Sequence, residues 1–327
     1  MVQKVQEINS VFKSFKLSAE CLNYNEINDY CSYDVKLLGK TRIKDIEKFS
    51  NEIGLSLKSP CKPSIKLMPH LGILRLEFCK NFTKSINLFE NLPKSPLDGD
   101  LQCFLGENTE GKQTWLELGK SPHVLIAGTT GSGKSTLLHT IIANLLFYHK
   151  AKICLMDPKC IEFSKYAKLN KDSLYVAEEY VECSKMINAL CAVMEQRYFA
   201  LKDNNVKFPP IVIVIDEFSD LIMQDETKEF YHSLCKLSQK CRAARMHIIL
   251  STQRPSVDVI SGAIKANFPV RISCKVASGV DSKVILDQTG AESLFGKGDA
   301  FIKNNDGKLE RFKAAYTTVE QVCEKFK

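Results

Sequence analysis

The chain has 327 residues, 44% hydrophobic and 25% charged, with a formal net charge of +7. Length and composition are those of a water-soluble globular protein of one large or two moderate domains, and the mild positive balance favours polyanionic partners without identifying one. Thirteen cysteines, an odd number with no Cys-x-x-Cys pair, argue against a disulfide framework and a structural zinc site, and predict reduced thiols in the cytoplasm.

Residues 1–16 mix polar and apolar positions and lack the apolar core of a signal peptide or membrane anchor. No run approaches the 18 apolar residues of a spanning helix. Residues 33–38 and 73–78 read as strands. Ile43, Ile46, Phe49, Ile53 and Leu57 recur at helical spacing, which predicts one helix over 43–57. Together these describe a small α/β module over 1–95, and the Pro-containing stretch 92–100 reads as a linker.

From 96 to 327 the texture changes. His123–Ala127, 152–156, Ile211–Ile215, 248–251 and 270–276 are short, nearly continuous apolar runs. Helical patterns lie between them at 134–149, 179–201 and 227–245, the last with Phe230, Leu234, Leu237 and Cys241 on one stripe. Buried strands alternating with helices predict an α/β fold built on a parallel sheet covered on both faces.

Gly128, Thr129, Thr130, Gly131, Ser132, Gly133, Lys134 and Ser135 fit the phosphate-loop pattern, with Thr136 following. Glycines let the backbone curl its N–H groups toward a β-phosphate, and the helix beginning near Lys134 aims its positive end at the same place. Lys134 would reach the β- and γ-phosphates, and Ser135 would offer its hydroxyl to Mg²⁺. The loop follows a strand and precedes an amphipathic helix, so the pattern predicts ATP or GTP binding.

Asp216 and Glu217 emerge from the end of the IVIVI strand, where ligands of parallel sheets bind. Asp216 suits Mg²⁺, directly or through water, and Glu217 suits a general base for the attacking water. Gln253 follows the strand 248–251 and is the candidate γ-phosphate sensor, although Thr-Gln-Arg-Pro is also a plausible turn.

These residues resemble the motor of the FtsK/SpoIIIE DNA translocases. The likeness runs through PHVLIAGTTGSGKS (122–135), MDPKCIEF (156–163), IVIVIDEFSDL (211–221), the stretch 239–290 and GKGDA (296–300). Residues 33–80, including GKTRIKDIEKFSNEIGLSL, are similar to the small module that precedes that motor. The resemblance implies a RecA-like P-loop core, ATP with Mg²⁺ as cofactors, and a homo-hexameric ring around double-stranded DNA. It implies an arginine acting across the subunit boundary, for which Arg242 is the first candidate. Arg245, standing where the family usually has Gly, is a second. It implies DNA-facing cations at Arg254 and Lys265, whereas Gly279 replaces an expected Lys. Family members usually carry N-terminal membrane spans and a C-terminal winged-helix module. Neither is legible here, so the expectation is a cytoplasmic motor directed by a loading partner. The alternative expectation is an ATPase of the same type that engages a protein substrate in a secretion or transfer complex.

Overall fold

The computed structural model describes residues 1–80, 85–92, 101–148, 151–169, 171–203 and 206–326. The N-terminal part is α1 (Val2–Ser14), β1 (Ala19–Ile27), β2 (Tyr30–Leu37), α2 (Ile43–Lys48), α3 (Ser50–Ser56), β3 (Ser64–Met68) and β4 (Ile73–Cys79). Its four strands form an antiparallel sheet in the order β1-β2-β4-β3. One face of that sheet packs on the helices through a core containing Ile8, Phe12, Ile46, Ile53 and Phe78. The helical spacing over 43–57 is real, but it makes two helices. Phe49 (φ −98°, ψ 13°) ends α2 and opens α3, and the Ser50 hydroxyl donates to the Glu47 carbonyl at 2.8 Å. A serine that bonds the backbone at that point competes with a continuous helical ladder.

Next come β5 (Ile86–Asn87), α4 (Leu88–Asn91), β6 (Gln102–Asn108), β7 (Gln113–Glu117), β8 (His123–Ala127), α5 (Lys134–Tyr148), β9 (Lys152–Asp157) and β10 (Leu174–Glu178). They are followed by α6 (Glu179–Asp203), β11 (Ile211–Ile215), α7 (Phe218–Gln224), α8 (Glu229–Lys240) and β12 (Met246–Thr252). The chain ends with α9 (Gly262–Asn267), β13 (Val270–Ser273), α10 (Gly279–Leu286), β14 (Asp299–Lys303), β15 (Leu309–Tyr316) and α11 (Val319–Lys325). The predicted linker falls mostly on 93–100, outside the described residues.

The large sheet runs β10-β9-β11-β12-β8-β13-β14-β15-β6-β7, with β5 beside β15. The first six strands are parallel. From β13 onward the pairing is antiparallel, which the apolar runs did not reveal. Alternation within the parallel strands explains their apolar sequences. Ile211, Ile213 and Ile215 enter one core with α6, α7 and α8, while Val212 and Val214 enter the other with α5. Both faces are buried, so no polar position is left. The fold is therefore α/β, a mostly parallel sheet flanked by helices.

The helix expected over 227–245 stops at Lys240. Arg245 then takes a left-handed conformation (φ 52°), its N–H bonds the Arg242 carbonyl at 3.0 Å, and the chain reverses into β12. An L-residue bears a steric penalty there that glycine does not, which explains why a Gly suits this position.

Candidate nucleotide site

Three strand ends converge on the loop after β8. Thr252 of β12 lies beside Ala127, and the Gly128 N–H donates to the Thr252 carbonyl at 3.3 Å. The Thr129 N–H and hydroxyl both donate to the Lys275 carbonyl, at 2.9 and 3.1 Å. Two glycines are required by close approach. A Cβ on Gly128 would stand 2.7 Å from the Cβ of Cys274, and one on Gly133 would stand 2.4 Å from the backbone nitrogen of Gly298. Gly133 also has φ 104°. The turn 296–298 is docked on the loop by the Gly298 N–H, which donates to the Ser132 carbonyl at 2.9 Å.

A cavity of about 440 Å³ opens over this loop, with Thr130, Lys134, Ser135, Thr136, Glu162 and Gln253 in its wall. Lys134 begins α5 and is 3% exposed. Its ammonium lies 2.6 Å from Asp216 Oδ1 and 2.8 Å from Ser251 Oγ, and Ser251 in turn donates to Asp216 Oδ1 at 2.7 Å. A buried ammonium needs such partners, and a phosphate would serve it equally well. Ser135 Oγ donates to Glu162 Oε1 at 2.7 Å. The hydroxyl and these carboxylates are hard oxygen donors of the kind Mg²⁺ accepts, so Ser135 and Asp216 could hold it.

Glu162 is presented by a turn that Asp157 builds. The Asp157 carboxylate, 1% exposed, accepts from the N–H groups of Ile161, Glu162 and Phe163 at 2.8–2.9 Å. His139 beside Glu162 holds its carboxyl below the usual carboxylate range; burial opposes this, and Ser135 assists it. Sequence reasoning marked 156–163 as family-like but assigned it no role; Glu162 reaches the site only because the turn folds back on α5.

Glu217 follows β11 in a left-handed conformation (φ 46°) and is 2% exposed. Its Oε1 accepts from Ser219 Oγ at 2.5 Å, the Gln253 N–H at 3.1 Å and Thr252 Oγ1 at 3.2 Å. Strained backbone of this kind concentrates at functional positions. The Gln253 side chain reaches the phosphate loop, where its Oε1 accepts from Thr130 Oγ1 at 2.9 Å. Lys134, Ser135, Asp216, Glu217 and Gln253 thus gather at one place.

Other predicted residues lie elsewhere. Arg242 is exposed in the turn before β12, so roughly 20 Å of strand separates it from the phosphate loop. Arg254 is exposed beyond Gln253, with Nη1 3.7 Å from Met223 Sδ. Lys265, in the last turn of α9, gives its ammonium to Asp287 Oδ1 at 2.6 Å. Asp287 also pairs with Arg271 (2.5 Å) and Lys303 (2.7 Å). Burial would raise the Asp287 carboxyl, but the three cations override it and hold the group well below the ordinary range. Gly279 opens α10, which is capped reciprocally by Ser278 and Asp281.

The FtsK/SpoIIIE family model matches residues 94–208 and 202–257. The DNA translocase FtsK of Helicobacter pylori (strain J99) is 30% identical over 346 residues, covering 98% of this chain and 40% of the relative. The DNA translocase SftA of Bacillus subtilis (strain 168) is 30% identical over 341 residues, covering 97% and 36%. The chain thus spans about two fifths of the length of these curated relatives. Among solved structures, the pCW3 conjugation coupling protein TcpA, as a monomer with ATPγS, shares the fold with a TM-score of 0.69 and 23% identity over 99% of this chain and 98% of its own. The cytoplasmic domain of the Thermomonospora curvata type VII secretion ATPase EccC shares it with a TM-score of 0.62 and 21% identity over 75% of this chain and 34% of that one. Among the described residues, no helix is long and apolar enough to cross a membrane.

Proposed function

The chain belongs to the FtsK/SpoIIIE family, and we propose that it is an ATP hydrolase that drives translocation along double-stranded DNA. The observation that carries this reading is the meeting of Lys134, Asp216, Glu217 and Gln253 around one phosphate loop, in a chain aligned over nearly its whole length with DNA translocases. In this reading, residues 1–95 are an N-terminal module and 96–327 the motor.

Lys134 exchanges Asp216 for the β- and γ-phosphates, while the backbone of 128–133 cradles them. Ser135 and Asp216 hold Mg²⁺, which when bound neutralises charge on the phosphate chain. Glu217 takes the proton of the attacking water. Its Oε2 is buried with no hydrogen-bond partner among the described residues, and such an acceptor suits a water. Gln253, joined to the loop through Thr130 and to Glu217 through its N–H, reports loss of the γ-phosphate.

Arg242, at the opposite edge of the sheet from its own phosphate loop, serves the site of the next subunit in a homo-hexamer. Arg254 and Lys265 meet DNA phosphates without reading bases. We place the protein in the cytoplasm, where its thirteen cysteines, an odd number without a Cys-x-x-Cys pair, would stay reduced. A loading partner directs the ring.

The test is the steady-state ATPase rate with and without long double-stranded DNA, at low and moderate salt. Stimulation that fades as salt rises is expected, because phosphate contacts release counterions. Turnover indifferent to DNA at every salt concentration would overturn the DNA reading in favour of a protein substrate.

A further inference from the structure

A second cavity of about 340 Å³ lies against the first, and Ser85 and Lys313 stand in the wall of both. Lys313 is two residues from Arg311 on β15, so the two side chains leave the same face of the strand. That face meets the N-terminal sheet. Arg311 donates to Asp299 at 2.6 and 3.0 Å, to the Glu77 carbonyl at 3.2 Å and to Ser64 Oγ at 3.3 Å. The Tyr30 hydroxyl donates to Asp299 Oδ1 at 2.8 Å. Lys313 is ion-paired with Asp29, the residue that joins β1 to β2 with Asn28.

Asp29, Tyr30, Asp299, Arg311 and Lys313 are each no more than 6% exposed. Two carboxylates and two cations make the cluster formally neutral, as burial requires. Asp299 and Arg311 satisfy one another in a bidentate pair. The Lys313 pair differs, because Lys313 also stands in the wall of the cavity over the phosphate loop. A neutral Lys–Asp pair attracts an anion weakly, whereas an ammonium released from its carboxylate attracts it strongly.

We infer that Lys313 is a nucleotide-binding cation whose resident counter-ion is Asp29, so that the phosphate chain of a nucleotide and the N-terminal module compete for one ammonium. The inference rests on the nucleotide reading above. Linkage makes the competition reciprocal: whatever weakens the Asp29 contact tightens nucleotide binding, and bound nucleotide loosens the seat of the module.

The test is calorimetric titration with ATPγS of the wild-type chain and four variants, each first checked for a cooperative thermal transition. Asp29→Asn keeps an acceptor but removes the competing charge, and is expected to lower Kd about fivefold, while Lys313→Met raises it about fivefold, the size of one partly screened charge contact. The double variant removes both members of the pair and is expected to bind as weakly as Lys313→Met. Tyr30→Phe cuts the other bolt of the module without touching Lys313, and by the same linkage should lower Kd, by less than Asp29→Asn does. Opposite signs for the two single variants are the signature, since a merely structural role would move both the same way. Shifts in one direction, or no shift in either, would overturn the inference. A wild-type chain that fails to bind ATPγS would instead overturn the nucleotide reading beneath it.

Discussion

In the proposed mechanism, hydrolysis turns on Glu217. Ser219, Thr252 and the Gln253 N–H fix one of its oxygens, and Lys159 Nζ lies 3.9 Å from the other. Glu217→Gln preserves an acceptor at the fixed oxygen and removes the base. ATP affinity should therefore stay near wild type while kcat falls by about 10²-fold or more, the usual worth of a positioned base. A single-turnover hydrolysis assay beside a binding titration separates the two quantities, and an unchanged kcat would remove Glu217 from the chemistry. How legible these residues were depended on contiguity. The phosphate loop and the Asp216–Glu217 strand end lie in short unbroken runs, so spacing alone found them. Glu162 and Ser251 could not be found that way, because the turn at Asp157 and the register of β12 against β11 bring them in. Lys313 was hidden more deeply, since its partner Asp29 lies 284 positions away in sequence.

At the scale of elements, the apolar runs of β8 and β11 were read to the residue, because a strand buried on both faces has no polar position to blur its ends. In the antiparallel half of the sheet, β14 and β15 were missed because they carry charges inward, with Asp299 and Arg311 in a buried pair, and so lack an unbroken apolar signature. One buried polar group at a strand junction has a measurable consequence. His123 opens β8, is 2% exposed, and its Nδ1 accepts the Ile248 N–H of β12 at 3.2 Å. Burial, with His247 and Arg242 nearby, pushes its pKa down to about 4 from the ordinary 6.5. Between those values the unfolded chain binds a proton that the folded chain refuses. The contribution is thus complete above pH 6.5 and is lost as pH falls toward 4, amounting to about 3 kcal/mol. Urea unfolding at a series of pH values should show this acid limb in the wild type. His123→Asn, which keeps an acceptor for Ile248, should flatten it. An equally steep limb in the variant would assign the loss to carboxylates instead.

At the scale of the whole molecule, the proposed ring gives the two edges of the sheet different work. Glu217 stands at the C-terminal ends of the parallel strands and Arg242 at the other edge, roughly 20 Å along β12 from the phosphate loop. A side chain so placed cannot stabilise charge in its own site, yet a head-to-tail ring brings one subunit's trailing edge to the next subunit's leading edge. Glu217→Gln subunits then lack the base but still present Arg242, whereas Arg242→Ala subunits lack the arginine but keep the base. Each variant alone should be nearly inactive. When equal amounts are mixed and allowed to assemble, about one boundary in four joins an intact Glu217 to an intact Arg242, so DNA-stimulated turnover should recover to at most about a quarter of wild type. Mixtures no more active than the separate variants would place Arg242 outside the neighbouring site. If Arg242→Ala alone retained full activity, Arg245, held in its left-handed turn three residues later, would become the residue to test in the same mixing experiment.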